Sequence, residues 1–190
     1  PMTAPVLSIQ NVTMRFGGLT AVKDFSMDVP RGSITGLIGP NGAGKTTIFN
    51  VITGFYKPTE GAVQFDGQDI TGLAPHMVCR AGISRTFQNI RLFYNETVLE
   101  NVMIGCHVRR KAGWWEAPLG LPRFRREERE IREKSMDLLE TLGLAPYAGE
   151  RSGGLPYGAQ RKLEIARALA TEPRFLLLDE PAAGMNPPET

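Results

Sequence analysis

Between residues 6 and 14 apolar and polar positions roughly alternate, with Leu7, Ile9, Val12 and Met14 making up the apolar set. A period of two marks a half-buried strand, and Gly17-Gly18 ends it in a turn. Residues 25–29 repeat the alternation, so the chain is expected to open with two antiparallel strands. The run Ser33-Ile34-Thr35-Gly36-Leu37-Ile38 reads as a short apolar strand entering Gly39-Pro40-Asn41-Gly42-Ala43-Gly44. Residues 45–53 then read as a helix closed by Gly54. Strand, glycine loop and helix follow one another without a break.

The pattern continues with a turn at 57–61, a strand at 62–65 and Asp66-Gly67, a dipeptide suited to a tight hairpin. A helix is expected over 75–81, a strand over 82–87, and a helix from Thr97, where Val98, Val102 and Met103 share a face. Residues 107–134 change character: basic residues, Trp114-Trp115, prolines at 118 and 122 and the run Arg123-Phe124-Arg125-Arg126 suggest an inserted surface segment. Glu128 with Arg132 and Glu130 with Lys134 are expected i,i+4 pairs, on a helix whose apolar face is Ile131, Leu138, Leu139 and Leu142 and which stops at Gly143. Residues 160–171 form another expected helix. Residues 174–179 read as a fully buried strand with an acidic exit.

Composition changes this picture little. A chain of 190 residues, 42% hydrophobic and 22% charged, can bury the core of one domain. A net charge of +2 is too small to point to a nucleic-acid partner. Cys79 and Cys106 lack the spacing of a metal site or a disulfide framework, which fits a reducing cytoplasm. No apolar run nears the roughly 20 residues that cross a bilayer, so a membrane role is expected to be peripheral. The start at Pro1 and the end at Thr190 suggest a fragment.

Candidate chemistry enters with Gly39-Pro40-Asn41-Gly42-Ala43-Gly44-Lys45-Thr46, which satisfies G-x-x-x-x-G-K-[ST] between a predicted strand and a predicted helix. Glycines let backbone amides wrap a phosphate chain, the helix N-terminus adds positive potential, Lys45 reaches the terminal phosphates and Thr46 is placed to ligate magnesium. A second candidate is Asp179-Glu180 at the exit of the last strand: Asp179 to hold magnesium, and Glu180 to polarise an attacking water.

With these motifs the chain resembles the ATP-binding subunits of ABC transporters over nearly its whole length. Leu178-Asp179-Glu180-Pro181 fits the second Walker motif, and Thr86-Phe87-Gln88-Asn89 fits the loop whose glutamine joins magnesium to the permease contact. Leu155-Pro156-Tyr157-Gly158-Ala159-Gln160 falls at the signature Leu-Ser-Gly-Gly-Gln. Within that family it is similar to the ATPases of branched-chain amino-acid importers, through Arg15-Phe16-Gly17-Gly18-Leu19-Thr20-Ala21-Val22, Thr53-Gly54-Phe55-Tyr56-Lys57-Pro58-Thr59 and Asp179-Glu180-Pro181-Ala182-Ala183-Gly184-Met185-Asn186-Pro187.

The resemblance implies an α/β fold: a P-loop NTPase (RecA-like) core with an antiparallel β subdomain, incomplete at its C-terminus. Residues 1–89 and 158–190 would form the catalytic core, and 90–157 an inserted helical subdomain. ATP and Mg²⁺ would be the cofactors, with Lys45, Gln88 and Glu180 catalytic, and Thr46, Gln88 and Asp179 at the metal. Phe16, Val22, Gly39, Pro40, Asn41, Gly42, Ala43, Gly44, Lys45, Thr46, Thr47, Tyr157 and Gly158 would contact nucleotide, Phe16 stacking on adenine.

The implied partners are a second ATPase subunit, identical or a paralogue, membrane permease subunits and, indirectly, a solute-binding protein, with no nucleic acid. The implied place is the cytoplasmic face of the inner membrane. Pro156 and Ala159 depart from the signature, Asn186 stands where many relatives carry aspartate, and the family's switch histidine has no counterpart before Thr190. The chain by itself is therefore expected to bind ATP weakly and hydrolyse it slowly or not at all. ATP-driven work on nucleic acid or ribosomes and a nonhydrolytic nucleotide-binding module stay open as alternatives.

Overall fold

The computed structural model describes residues 4–109 and 122–180, in two compact units, Pro1–Ile83 and Ser84–Thr190. Trp114-Trp115, most of the predicted insertion before Pro122, and the stretch from 181 onward lie outside the described residues.

In the first unit β1 (Leu7–Phe16), β2 (Leu19–Val29), β3 (Glu60–Phe65) and β4 (Gln68–Asp69) form an antiparallel sheet in the order β2-β1-β3-β4. Leu7 opposite Phe65 and Ile9 opposite Val63 are buried cross-strand pairs, the unit from which such sheets gain stability. The β1–β2 register slips between Ile9 and Val12, where Asn11 takes a positive φ and its side chain donates to Asp24. That bulge lets both Ile9 and Val12 stay buried despite their odd spacing. The Asp66-Gly67 hairpin forms as expected, both residues at positive φ. Helices α1 (Lys45–Ile52) and α2 (Pro75–Ala81) match the predicted spans to within a residue.

Residues 33–38 do not form the expected strand. They run without regular structure, and Ile34 and Ile38 are fully exposed at 105% and 94%. An apolar run specifies a strand only where a neighbour takes its hydrogen bonds, and no described strand does so here.

The second unit pairs β5 (Ile83–Arg85), from Ser84 on, with β6 (Phe175–Leu177). The terminal strand is shorter than expected and only partly buried, with Leu178 at its end exposed, because β5 is its one neighbour among the described residues. In the same unit α3 (Val98–Cys106), α4 (Pro122–Thr141) and α5 (Tyr157–Leu169) pack against one another. Their core draws on Val102 from α3, Leu139 from α4 and Leu163 from α5, all fully buried. Gly105 allows α3 and α5 to cross closely, since a Cβ there would lie 2.5 Å from the Arg167 carbonyl oxygen. Lys134 pairs with Glu172 at 2.8 Å rather than with Glu130, which takes Arg126 at 3.1 Å.

α3 begins with a full capping box: Thr97 Oγ1 accepts from the Glu100 amide, and the Glu100 carboxylate accepts from the Thr97 amide. The Thr97 amide, together with the Thr97 hydroxyl that also donates to it, holds the Glu100 carboxyl below its usual range. Their contribution is therefore present above the ordinary Glu value and lost as pH falls through the lowered one. One turn further, the fully buried Asn101 joins three segments. Its Nδ2 donates to Phe93 O, Thr97 O and Ser152 Oγ at 3.0–3.2 Å, and its Oδ1 accepts from the Phe93 amide at 3.0 Å. Replacing Asn101 with alanine strands several of these groups and should cost about 3 kcal/mol, read from the urea midpoint. Asn101→Asp should cost a comparable amount, because it turns a donor into an acceptor facing three oxygens.

Candidate functional site

In the first unit the glycine loop feeds directly into α1. Gly42 and Gly44 take left-handed backbone, φ 81° and 85°, and single left-handed residues of this kind curve a chain into an anion-binding concavity. The Ala43 amide closes a turn onto Pro40 O at 3.2 Å. Lys45 folds back over the loop it follows, its Nζ donating to Gly39 O at 2.7 Å and Pro40 O at 2.8 Å. α1 starts at Gly44 with no side-chain cap and no acidic residue in its first turn. Its leading amides therefore present the positive end of the helix without internal compensation. Thr46, exposed, and Thr47, half-buried, sit in that turn, and Pro40, Asn41 and Ala43 are exposed.

Val22 is placed by the sheet rather than by the loop. It pairs with Met14, and its Cγ2 would lie 2.7 Å from a Cβ added at Gly44. Phe16, at the end of β1 and 40% exposed, meets the Tyr56 ring edge-on at 5.1 Å and 76°. That contact holds an aromatic ring ready at the surface.

In the second unit Gln88, Asp179 and Glu180 come together. Gln88 Nε2 donates to Glu180 Oε2 at 3.1 Å, and Arg85 donates to Asp179 Oδ2 at 2.8 Å. The Thr86 amide bonds Leu177 O at 3.0 Å, so β5 and β6 deliver the glutamine and the carboxylates side by side. Glu180 is exposed and sits at φ 49°, a conformation rare for a residue with a Cβ. Oxygen donors of this kind suit magnesium, and Asp179 Oδ2 is engaged by the Arg85 guanidinium. Among the described residues no three His, Cys, Asp or Glu gather as a metal cage.

α5 starts at Tyr157, exposed, and Gly158, buried, after Pro156 as N-cap with no side-chain cap bond. Proline at position 156 has no hydroxyl with which to cap the helix.

A family model for the ABC transporter matches residues 22–183. The chain belongs to the ABC transporter family. It is 48% identical over 189 residues to the high-affinity branched-chain amino acid transport ATP-binding protein BraF of Pseudomonas aeruginosa, covering 100% of this chain and 74% of the relative. It is 47% identical, with the same coverage, to the corresponding LivG of Escherichia coli. Among solved structures it is similar to MJ1267, an ATP-binding cassette of an ABC transporter, at 38% identity and a TM-score of 0.83 over 98% of this chain and 73% of that one.

For an ABC transporter chain the residues that sequence reading missed are Arg85, Arg161 and Glu164, three charges that the second unit buries or half-buries. Arg161 and Glu164 did carry a signal. They lie at spacing three between Gly158 and Ala168, on the face that α5 turns inward.

The two left-handed glycines should separate experimentally. Gly42→Ala meets nothing within 4 Å and carries only the left-handed strain, about 1–2 kcal/mol. Gly44→Ala adds clashes with Val22 Cγ2 at 2.7 Å and Ala21 O at 2.9 Å. It should therefore lower the urea midpoint more than Gly42→Ala, and weaken nucleotide binding more in a titration with a fluorescent ATP analogue.

Proposed function

We propose that this chain binds ATP with magnesium and hydrolyses it to drive import of branched-chain amino acids through a membrane permease, working as one of two paired ATPase subunits at the cytoplasmic face of the membrane. The observation that carries the hydrolytic reading is the Gln88 amide on the Glu180 carboxylate, beside Asp179, at the exit of β6. The transported solute follows from the named function of relatives that are 46–48% identical across the chain. The chain spans about three quarters of their length.

On this reading the loop amides from Gly39 to Gly44 and the Lys45 ammonium hold the phosphate tail, and Phe16 and Val22 receive the base and sugar. Thr46 of the first unit and Gln88 and Asp179 of the second would hold magnesium, which would supply positive charge to the phosphate oxygens. Glu180 accepts a proton from, or aligns, the attacking water, and Gln88 orients that carboxylate while reporting its state toward the permease. Tyr157 and Gly158 face the nucleotide of the second subunit. Residues 90–157 serve as the helical subdomain, with 1–89 and 158–190 as the catalytic part. MJ0796, a bacterial ABC transporter cassette 28% identical to this chain, has been solved as a dimer, which supports the pairing. No described helix is long and apolar enough to cross a membrane, which is consistent with a peripheral subunit.

Lys45→Ala should weaken ATP binding about tenfold or more, the loss expected of a charge-assisted contact to phosphate. Glu180→Gln should keep binding while lowering hydrolysis about 10²–10⁴-fold, the usual range for a positioned general base. Binding titrations with and without Mg²⁺, phosphate release and uptake of labelled leucine by vesicles carrying the assembled transporter check these outcomes. A subunit indifferent to ATP in that assembly would overturn the proposal.

A further inference from the structure

The guanidinium of Arg161 is fully buried one turn into α5, where it bonds the Gln88 loop, the exit of β6 and Glu164. Its Nη1 donates to the Phe87 carbonyl and to Glu164 Oε2, the latter at 2.8 Å. Its Nη2 donates to the Asp179 carbonyl at 2.7 Å and to the Glu180 carbonyl at 2.8 Å. Glu164, 2% exposed, uses its other oxygen to accept the Phe87 amide at 3.1 Å. The peptide group before Gln88 and those of both acidic residues are therefore fixed to one helix by a single buried ion pair.

We propose that Arg161 and Glu164 are positioning residues of the ATPase: they lock the Gln88 loop and the Asp179-Glu180 exit in register with the helix that starts at Tyr157. The inference rests on the proposed function for its kinetic consequence, and on the bond pattern alone for its structural one. Three features favour a positioning role over plain stability. A buried ion pair adds little net stability compared with apolar residues of the same size, so its presence here calls for another reason. A planar fork with five donors is the only side chain that can serve four separated oxygens at once, which lysine cannot. Finally, the acceptors include the backbone of the two carboxylate residues, so a tilt of α5 is passed to Glu180, whose side chain is otherwise held only by Gln88 among the bonds described. Movement of the signature end of α5 would then be felt at the water-activating carboxylate.

The test compares wild type, Arg161→Lys and Glu164→Gln in the assembled transporter, with MgATP and ADP as probes. Arg161→Lys keeps the charge but not the fork. Glu164→Gln keeps an acceptor for the Phe87 amide but not the ion pair, and it stands in if the lysine variant does not fold. The expected result is a kcat about a hundredfold lower, as for a small misplacement of reacting groups, with KM for ATP and Kd for ADP within about threefold. Hydrogen exchange should quicken at residues 86–89 and 178–180 while α3 and the far half of α4 keep wild-type protection. Unchanged kcat per folded molecule, or exchange that quickens uniformly through the second unit, would overturn the proposal. If wild type itself failed to turn over ATP, the proposed function would fall, and the exchange pattern would still decide the positioning role.

Discussion

Backbone that leaves regular structure must still place its amides and carbonyls, and this constraint governs both functional regions of the chain. The phosphate loop and the exit of β6 have to be irregular to present their groups, so neither can be held by a ladder of main-chain bonds. In each a long cation ties several carbonyls together instead. Lys45 bridges the carbonyls of Gly39 and Pro40, and Arg161 bridges those of Phe87, Asp179 and Glu180. The two differ in exposure, and the difference matches their work. Lys45 is half-buried and can be reassigned to a ligand, whereas Arg161 is sealed and can only be a fixture.

The same constraint orders the carboxylates. Asp179 is mostly buried and meets a guanidinium, Glu164 is buried against another, and Glu180 is exposed with an amide as its partner. Burying an anion without a cation is costly, so the two sheltered acids carry arginines and the exposed one need not. Glu180 thereby keeps a solvent-exposed carboxylate, on a backbone that the Arg161 bond to its carbonyl helps hold in place.

Much of this was legible in the sequence where the determinants are local. The glycine loop, the helix after it and the Asp66-Gly67 hairpin follow from backbone preferences a few residues long. The meeting of Gln88 with Asp179 and Glu180 was legible only through family resemblance, since the residues lie some ninety positions apart. What failed or was missed depends on distant partners. Residues 33–38 have the composition of a strand but no described neighbour to pair with. Lys134 finds Glu172 in place of the nearby Glu130, a choice that helical spacing cannot reveal. Arg161 and Glu164 were missed because their partners, Phe87, Asp179 and Glu180, lie far along the chain or beyond the helix that carries them.

The helix starts show how far local chemistry was subordinated to this arrangement. α3, whose role is to hold the core of the second unit, has both halves of a capping box, and Asn101 reinforces its first turn. α1 and α5 have no side-chain cap at all. α2 also lacks one, but it begins with Pro75, which removes an orphan donor rather than leaving it open. A serine or aspartate at position 156 would gain about 1 kcal/mol as a cap by engaging the leading amides of α5. At position 44 the φ of 85° and the press of Val22 exclude a side chain. At position 156 proline sets the extended entry to α5 at φ −56° and ψ 152° and competes for no amide. Both α1 and α5 thus begin with leading amides that no side chain caps.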